Sequence, residues 1–518
     1  DSAGTQFSVE TETVRRDLVA VATSSSWRRQ GAFAEVPIGN VRPSVRLTLE
    51  DRSDRPRGSD SLVSGSFRTL EWTPRIAWEA GRAFSAAAEW QIRTEDSTLL
   101  GIRGRAFNAW TQAYTADVRP IESIQSSLAL NVRRTAFTED FRRRGNGDAT
   151  TVLVRSHTRF ATPRRSTEGD VLYEFSNQRS ARLERVFVRV ARGTGNYRHI
   201  GDTNGNGIAD EAEYELVRFD GDYVALLLPG ETLVPVNDVK ASVRVRWNGG
   251  RGADGTGSGF WRALSSETLV RVEERSSDPS AANVYGLRLG TFLASATTLS
   301  GAQTITQDLH VFEGDQEFSL RLRVGERRGL TQFVTAPERM YGNERSVRLR
   351  SRWTAEIGNQ TDLWGRRDRL LSAAGNPRER DLTGVGGMTD FSYRIERRWE
   401  AGWSLGASIV TDRRVGRSVE AALNEQAVRV VYGIPMSGQM RAEVRREEAR
   451  VTSSTGIVPA LSPFELTDGK AVGHSWLWRL SADLQVTSLI QLSLGYFGRQ
   501  EGTGPLIHTA RAEARATF

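Results

Sequence analysis

The final stretch of the chain, Ile507-His-Thr-Ala-Arg-Ala-Glu-Ala-Arg-Ala-Thr-Phe518, decides how the rest of the sequence is interpreted. From Thr509 onward, polar and charged residues alternate without a break with alanines and the final phenylalanine. Successive side chains of a β-strand point to opposite faces. The pattern therefore predicts a strand with one apolar face and one charged face.

The same alternation recurs along the chain in runs that are long for a soluble sheet. It covers Ala241–Trp247 and Phe318–Val324, and it continues for 11 residues over Val347–Ile357. Trp476–Val486 and Ile490–Tyr496 are separated by a short turn and predict a hairpin. Soluble strands average about 5–6 residues, whereas a tilted membrane-crossing strand needs about 9–11. These lengths favour a membrane-spanning sheet.

A terminal aromatic residue that closes an alternating strand resembles the C-terminal signal of bacterial outer-membrane β-barrel proteins. The resemblance implies an all-β fold, namely one large antiparallel transmembrane β-barrel over residues 1–518 with long extracellular loops and no helical domain. A hairpin-and-loop repeat predicts about 20 strands, and an even number is usual. The expected location is the bacterial outer membrane. The expected surroundings are membrane lipids and lipopolysaccharide.

Composition excludes several classes of protein. The 518 residues contain no cysteine, which argues against a disulfide scaffold and against Cys-based zinc or redox chemistry. No run of 18 or more apolar residues is present, so we expect no membrane-spanning helix. The net charge of +7 comes from arginines at strand spacing that are closely matched by acids, so we expect no nucleic-acid partner. The start at Asp1, without Met or a signal peptide, suggests a mature form or a piece of a longer precursor.

One motif points to a specific ligand. Residues 202–213, Asp-Thr-Asn-Gly-Asn-Gly-Ile-Ala-Asp-Glu-Ala-Glu, resemble the calcium-binding repeats of thrombospondin type 3 and dockerin modules. Calcium takes six to eight oxygen ligands, and a glycine at position 6 permits the sharp turn around the ion. The predicted ligands are the side chains of Asp202, Asn204, Asn206, Asp210 and Glu213 and the carbonyl of Ile208.

The motif departs from an EF-hand, since its aliphatic residue is Ile208 at position 7 and its flanks look like strands. The expected role of calcium is structural, within a loop insertion at 193–238. The alternative is an Asn/Gly-rich turn that binds nothing. A second long loop is predicted at 361–384, where Trp364, Leu370, Leu371 and Ala374 would form the apolar side of a short helix.

The charged faces of the predicted strands would line the lumen. Two interpretations are open: an anion-attracting pore, because rings of arginine select anions, or a wall stiffened by pairs across strands. The near balance of charges favours pairing, although arginines left unpaired at one constriction would make the two interpretations compatible. The predicted lumen-facing charges are Arg244, Arg246, Arg321, Arg323, Arg348, Arg350, Arg352, Glu356, Asp483, Arg511, Glu513 and Arg515.

Catalysis is not expected. The five histidines are scattered without metal-ligand spacing, and His474 and Ser475 are adjacent, so in a strand they face opposite ways. The sequence instead predicts a pore or a transport or secretion channel of the cell surface. One alternative is a structural barrel whose loops bind partner subunits or a surface layer. Another is a secreted, soluble all-β binding protein. A plug would have to come from inward-folded loops or from a partner.

Overall fold

The computed structural model is an all-β protein in which 24 strands form a single sheet. It describes residues 4–18, 23–252, 259–372, 376, 378–396, 398–414, 418–435, 437–454, 456, 462–487 and 489–516. All pairings between named strands are antiparallel. The predicted fold class, a large antiparallel β-sheet protein with an even number of strands and no helical domain, is confirmed.

The strands are β1 (Gln6–Leu18), β2 (Thr23–Glu35), β3 (Val41–Pro56), β4 (Phe67–Ala80), β5 (Phe84–Leu99), β6 (Ile102–Ile121), β7 (Ile124–Phe137), β8 (Ala149–Ala161), β9 (Thr167–Arg189), β10 (Gly195–His199), β11 (Tyr214–Gly221), β12 (Tyr223–Asn248), β13 (Leu264–Ser276), β14 (Thr298–Val311), β15 (Phe318–Gln332), β16 (Pro337–Arg352), β17 (Ile357–Leu371), β18 (Arg380–Arg394), β19 (Trp399–Asp412), β20 (Val419–Ile434), β21 (Gly438–Ser453), β22 (Gly473–Gln485), β23 (Ile490–Glu501) and β24 (Ile507–Ala516).

The helices are short. They are α1 (Glu139–Arg142), α2 (Gly249–Gly252), α3 (Gly259–Ala263), α4 (Ala281–Tyr285) and α5 (Phe464–Thr467), together with 3₁₀ turns at Glu211–Glu213 and Leu289–Thr291. None of the helices in the described part of the chain is long and apolar enough to cross a membrane.

Nearly every strand pairs with the next one along the chain. Strands β1 to β9 follow one another, β9 then pairs with β12, and β12 to β24 continue the succession. Two of the 24 strands, β10 and β11, form a separate hairpin next to the first residue of β12, Tyr223. The remaining 22 strands form the wall, which agrees with the predicted even number and exceeds the predicted count of about 20.

The two ends of the wall differ in the length of their connections. At one end most connections are tight, such as 36–40, 81–83, 122–123 and 353–356, and we call it the short-turn end. The segment 249–263, with α2 and α3, is a longer connection there. The other, long-loop end carries longer segments, including 57–66, 138–148 and 277–297. β1 begins and β24 ends at the short-turn end.

One face of the wall is apolar, and its side chains are exposed in two distant groups of strands. Leu47, Trp72, Ile92 and Trp110 are directly paired neighbours across β3 to β6, and each is 40–47% exposed. A second such row crosses β19, β20 and β21 at Trp403, Val428 and Val444. Side chains in one cross-strand row lie on one face. The alternation read from the sequence therefore produces a continuous apolar surface.

One loop covers part of that apolar face. Val284 of α4 and Phe292 are buried against Phe175 of β9, Val239 of β12 and Val272 of β13. These strand residues lie on the same face as the exposed wall residues, since Ala241 pairs with Val272 and Val243 with Val270. The segment 277–297 therefore packs on the outside of the wall at the long-loop end.

Two sequence predictions about local structure are wrong. The segment 361–384 is not a long loop with a helix, because β17 runs through Leu371 and β18 begins at Arg380. Trp364 and Leu370 lie on one face of β17 and Leu371 on the other, since period-2 pairing with β16 and β18 replaces the assumed helical period. Ala374 lies outside the described residues. The run Val347–Ile357 is also not one strand, because β16 ends at Arg352 and a turn precedes β17.

The ends of the succession are unpaired within the described residues. β1 pairs with β2 and β24 pairs with β23, and no pairing between β1 and β24 occurs in this part of the chain. The final strand is confirmed over Ile507–Ala516, whereas Phe518 lies outside the described residues.

Candidate functional site

A long hairpin leaves the wall and crosses its interior. β9 pairs with β8 only through Ser176, and β12 pairs with β13 only from Asn237. Beyond those points the two strands continue as a ribbon, with a bulge between Pro229 and Leu233, which bends the strand that carries it. We call residues 177–237 the crossing hairpin. The predicted loop insertion at 193–238 is thus mostly regular structure, since residues 223–238 belong to β12.

The crossing hairpin first meets the junction of β15 and β16. Leu183 forms a parallel bridge with Phe333, and the Val334 backbone N–H donates to the Leu183 carbonyl at 2.8 Å. The guanidinium of Arg185 lies over the Phe333 ring, 4.3 Å from its centroid. These contacts join strands that are distant in the order of the wall.

A buried charge cluster fixes this crossing. Arg185 donates two hydrogen bonds of 3.1 Å to the carboxylate of Glu338 and also contacts Glu211 of the 3₁₀ turn. Arg378 lies 2.9 Å from Glu338 and 3.6 Å from Glu211. The side chains of Arg185 and Glu338 are only 6% and 10% exposed. Two arginines and two glutamates thus balance one another in a cluster whose centre, Arg185, is buried.

The tip of the crossing hairpin reaches the far side of the wall. Arg218 of β11 donates hydrogen bonds of 2.7 and 3.1 Å to the buried carboxylate of Glu447 on β21. Arg499 of β23 bonds Asp220 at 2.5 Å, and its guanidinium lies 4.2 Å from the centroid of the Phe219 ring. Both wall residues lie on the charged face, so this face is the inside of a curved sheet.

A second segment folds onto the same inner face. In the loop after β21, Leu466 of α5 is fully buried, and Glu465 pairs with Arg380 at 3.0 Å. Asp468 pairs with Arg366 at 2.9 Å, and Lys470 with Glu425 at 2.9 Å. We call residues 462–472 the inner loop. It also contacts β11, so it adjoins the crossing hairpin.

The inner face beneath the inner loop is apolar. Leu466 packs in a cluster that four wall strands supply, and its other buried members are Leu382, Val410, Val419, Ala421, Leu423 and Ala449. Burial of this kind contributes roughly 25 cal/mol per Å² of apolar surface. The inner loop is therefore held by packing as well as by ion pairs, and with the crossing hairpin it occupies the interior near the long-loop end.

The predicted calcium-binding loop connects β10 to β11 within the crossing hairpin. Asp202 accepts hydrogen bonds from the backbone N–H groups of Gly205 and Gly207, at 2.6 and 2.8 Å. Both glycines have positive φ angles, 73° and 71°, as the predicted sharp turn requires. The amide bonds, the one from Gly207 above all, lower the pKa of the Asp202 carboxyl.

The remaining predicted ligands converge around two carboxylates. The side-chain amides of Asn204 and Asn206 both donate to Asp210, at 2.6 and 2.7 Å. Glu213 is buried and accepts from the backbone N–H groups of Thr203 and Asp210. Its carboxyl group also lies within hydrogen-bonding distance of Asp202. The described residues contain no group of three or more His, Asp or Glu side chains placed to hold a metal ion, and Ile208 is an exposed part of the turn.

Most of the predicted lumen charges lie on the inner face and are paired. Two pairs join neighbouring strands with short bonds: Arg323 to Asp308 at 2.7 Å and Arg348 to Asp362 at 2.5 Å. Asp483 accepts a hydrogen bond from Ser493 at 2.8 Å. The other paired residues are Arg244 with Glu267, Arg246 with Glu313, and Arg511 and Arg515 with Glu513.

Three predicted arginines have no carboxylate partner within the described residues. Arg350 donates to the side-chain oxygen of Gln360, and Arg352 to that of Gln316, each at 3.2 Å. Arg321 stands directly opposite Arg348 in the register of β15 and β16, and its Nε is buried without a partner. Glu356 lies in the turn after β16 rather than on a strand, because β16 ends at Arg352.

The crossing contacts were not found from the sequence. Arg218 and Glu447 are separated by 229 residues, and Arg499 and Asp220 by 279. The only signal available was the position of the calcium-like motif between two strand-like flanks, which indicated an insertion but not its destination.

Comparison with known proteins finds matches among solved structures. No protein-family model and no curated relative matches the chain. Among solved structures, the copper transporter OprC is 10% identical with a TM-score of 0.40, over 99% of this chain and 80% of its own. The FrpB iron transporter of Neisseria meningitidis is 9% identical with a TM-score of 0.39, over 99% and 81%.

The siderophore receptor PirA of Acinetobacter baumannii is similar in the same way, with 10% identity and a TM-score of 0.37, over 99% of this chain and 80% of its own. Similarities at this level carry neither a substrate nor a mechanism over to this chain.

Proposed function

We propose that the protein is a transport barrel of the bacterial outer membrane whose interior is closed by the crossing hairpin and the inner loop. The carrying observation is the pair of bonds from the hairpin tip to the far wall, Arg218 to Glu447 and Asp220 to Arg499. Only the tip of the hairpin depends on these two ion pairs, so breaking them would release the tip from the far wall and open a path. Opening that path would expose the charged inner face.

The apolar outer face supports the membrane location. Rows such as Leu47, Trp72, Ile92 and Trp110 expose large apolar side chains along the wall, which water would penalise and lipid accepts. Outer-membrane barrels have short periplasmic turns and longer extracellular loops. The short-turn end is accordingly assigned to the periplasm and the long-loop end to the cell surface.

Planar-bilayer conductance tests the closed path. The double variant Arg218→Gln/Arg499→Gln removes both anchors of the hairpin tip and should conduct several-fold more than the native protein. Arg103→Gln is the matched control, because Arg103 donates two 3.0 Å bonds to Asp51 without touching the crossing hairpin. It should leave the conductance unchanged.

A folded double variant that conducts no more than the Arg103→Gln control would contradict the transport proposal. That outcome would favour the alternative function, a barrel that anchors surface loops for partner proteins. Folding of each variant is checked by the difference in gel mobility between boiled and unboiled samples.

We also propose that Ca²⁺ binds residues 202–213 and stiffens the crossing hairpin. The approach of the Asp202 and Glu213 carboxyl groups supports this, because a shared cation would neutralise the pair. Asp202, Asn204, Asn206, Asp210 and Glu213 would supply side-chain oxygens and Ile208 its carbonyl. The side-chain amides of Asn204 and Asn206 would then rotate so that each presents its oxygen to the ion. The groups around an amide decide which way it is turned, and a bound cation would favour the oxygen.

Thermal unfolding with and without Ca²⁺ tests the calcium proposal. Calcium should raise the Tm of the native protein and leave that of Asp202→Ala unchanged. Asp148→Ala is the control, since Asp148 is an exposed acid in another long-loop-end segment, bonded to Arg142. The absence of any calcium-dependent rise in the native protein would make the motif a turn without a ligand.

A further inference from the structure

The inner face at the short-turn end carries a cavity that the closing elements leave free. It measures about 300 Å³ and is lined by residues of β16 to β20 together with the turns at 312–317 and 353–356. Its charged lining comprises Arg350, Arg352, Arg394, Glu356, and the group formed by Arg429 with Asp390 and Glu400. The cavity lies at the opposite end of the wall from the crossing hairpin.

Four arginines face three acids in this lining, so the cavity carries net positive charge. Asp390 and Glu400 lie 3.8 and 3.6 Å from Arg429, and Glu400 also stands opposite Arg394 in the register of β18 and β19, so these two acids are matched by two arginines. Glu356 is then the one acid left against Arg350 and Arg352. Arg350 and Arg352 instead bond the neutral amides of Gln360 and Gln316, and each keeps donors free. A guanidinium presents five N–H donors in a fork that matches the oxygens of carboxylate and phosphate.

The strand above the cavity adds uncompensated positive charge. Arg321 stands directly opposite Arg348, and like charges in this position repel. The nearby acids are already engaged, Asp308 by Arg323 and Asp362 by Arg348. An anion is the species that would relieve this arrangement, since water neutralises no charge.

We propose that this cavity binds a multivalent oxyanion, a solute with two or more carboxylate or phosphate oxygens that Arg350 and Arg352 bind in the fork geometry. The proposal names the substrate class of the transport path and to that extent rests on the proposed function. Binding itself requires no conduction, because the cavity opens on the inner face of the wall.

Isothermal titration of the purified protein in detergent tests the site, with sulfate as the tetrahedral probe and succinate as the dicarboxylate probe. Neither probe chelates Ca²⁺ strongly, so the calcium loop does not contribute to the heat. The double variant Arg350→Gln/Arg352→Gln should bind at least tenfold more weakly. Arg143→Gln is the control. It also replaces an arginine by glutamine, but in an exposed pair with Glu139 at the long-loop end, so it should bind both probes as the native protein does.

Equal affinity in the native protein and the double variant would overturn the site, as would an equal loss in Arg143→Gln, which would indicate a general effect of net charge. Saturable binding of one probe only would identify which oxyanion geometry the cavity takes. The two proposals can fail separately. If the double variant loses binding but no variant of the protein conducts, the binding site is supported and the transport function is contradicted.

Discussion

At the scale of single residues, the crossing hairpin is held by ion pairs that have at least one buried partner, such as Arg185, Glu447 and Arg499. Arg185 is the centre of the cluster at the first crossing, because it contacts Glu338, Glu211 and the Phe333 ring at once. Removing one partner of a buried pair leaves an uncompensated charge, which costs more than the pair itself contributes. The cluster therefore makes the position of the hairpin specific.

Arg185→Gln should lower the free energy of unfolding by about 3–5 kcal/mol, because Arg378 would be the one charged partner left to Glu338 and Glu211 among the described residues. Thermal and denaturant unfolding in detergent would measure the change. Arg143→Gln breaks an exposed pair with Glu139 and should cost at most about 1 kcal/mol. Similar losses in the two variants would show that the cluster is solvated.

The sequence predicts the face of a charged residue well and its partner poorly. Alternation placed Arg323 and Arg348 on the inner face, because the period of a strand is local. Their acids, Asp308 and Asp362, lie on neighbouring strands, so the pairs depend on register. The alternation also predicts a strand position for Glu356, because the pattern continues through a turn that the sequence does not mark.

At the scale of elements, strand length distinguishes wall from insertion. β9 has 23 residues and β12 has 26, about twice the 9–11 residues that cross a membrane. The excess forms the crossing hairpin. Local patterning predicted strands on both sides of the calcium-like motif, but no local signal states that a strand leaves its neighbour. The prediction of a loop with a helix at 361–384 is wrong for the converse reason: Trp364 and Leu371 are seven residues apart, which fits a helical period by chance, although they lie on opposite faces of β17.

The base of the β10–β11 hairpin tolerates no side chain. Gly195 pairs with Gly221, and a Cβ on Gly221 would lie 2.6 Å from the Gly195 carbonyl oxygen. Gly221→Ala should force the strands apart, at a cost of about 1–3 kcal/mol, and should accelerate amide hydrogen exchange in residues 193–222 about tenfold or more. Mass spectrometry would measure the exchange.

Gly325→Ala in β15 is the control for this substitution, because an added Cβ there meets no atom within 4 Å. Its exchange in 193–222 should equal that of the native protein. Unchanged exchange in Gly221→Ala would mean that the two strands do not approach as closely as the register requires.

The segment 277–297 is held to the outer face mainly by Val284 and Phe292. Phe292→Ala should release it, since truncating a buried phenylalanine costs about 3–5 kcal/mol, and trypsin should then cut after Arg288. Phe312→Ala is the control, because Phe312 is 46% exposed in a turn at the opposite end of the wall. Resistance to trypsin in both variants would show that the loop is held by other contacts.

At the scale of the whole molecule, the two faces of one strand should meet two solvents. On β18, Val385 lies on the apolar face beside Ile409 and is 59% exposed, whereas Met388 lies on the inner face beside Asp362 and is 41% exposed. The chain has no cysteine, so a single introduced thiol is the only site for a maleimide. In liposomes, a water-soluble maleimide should label Met388→Cys and spare Val385→Cys, because lipid covers the outer face. Both should react after unfolding in denaturant. Equal labelling of the two in liposomes would mean that water reaches both faces, and the sheet would then belong to a soluble protein.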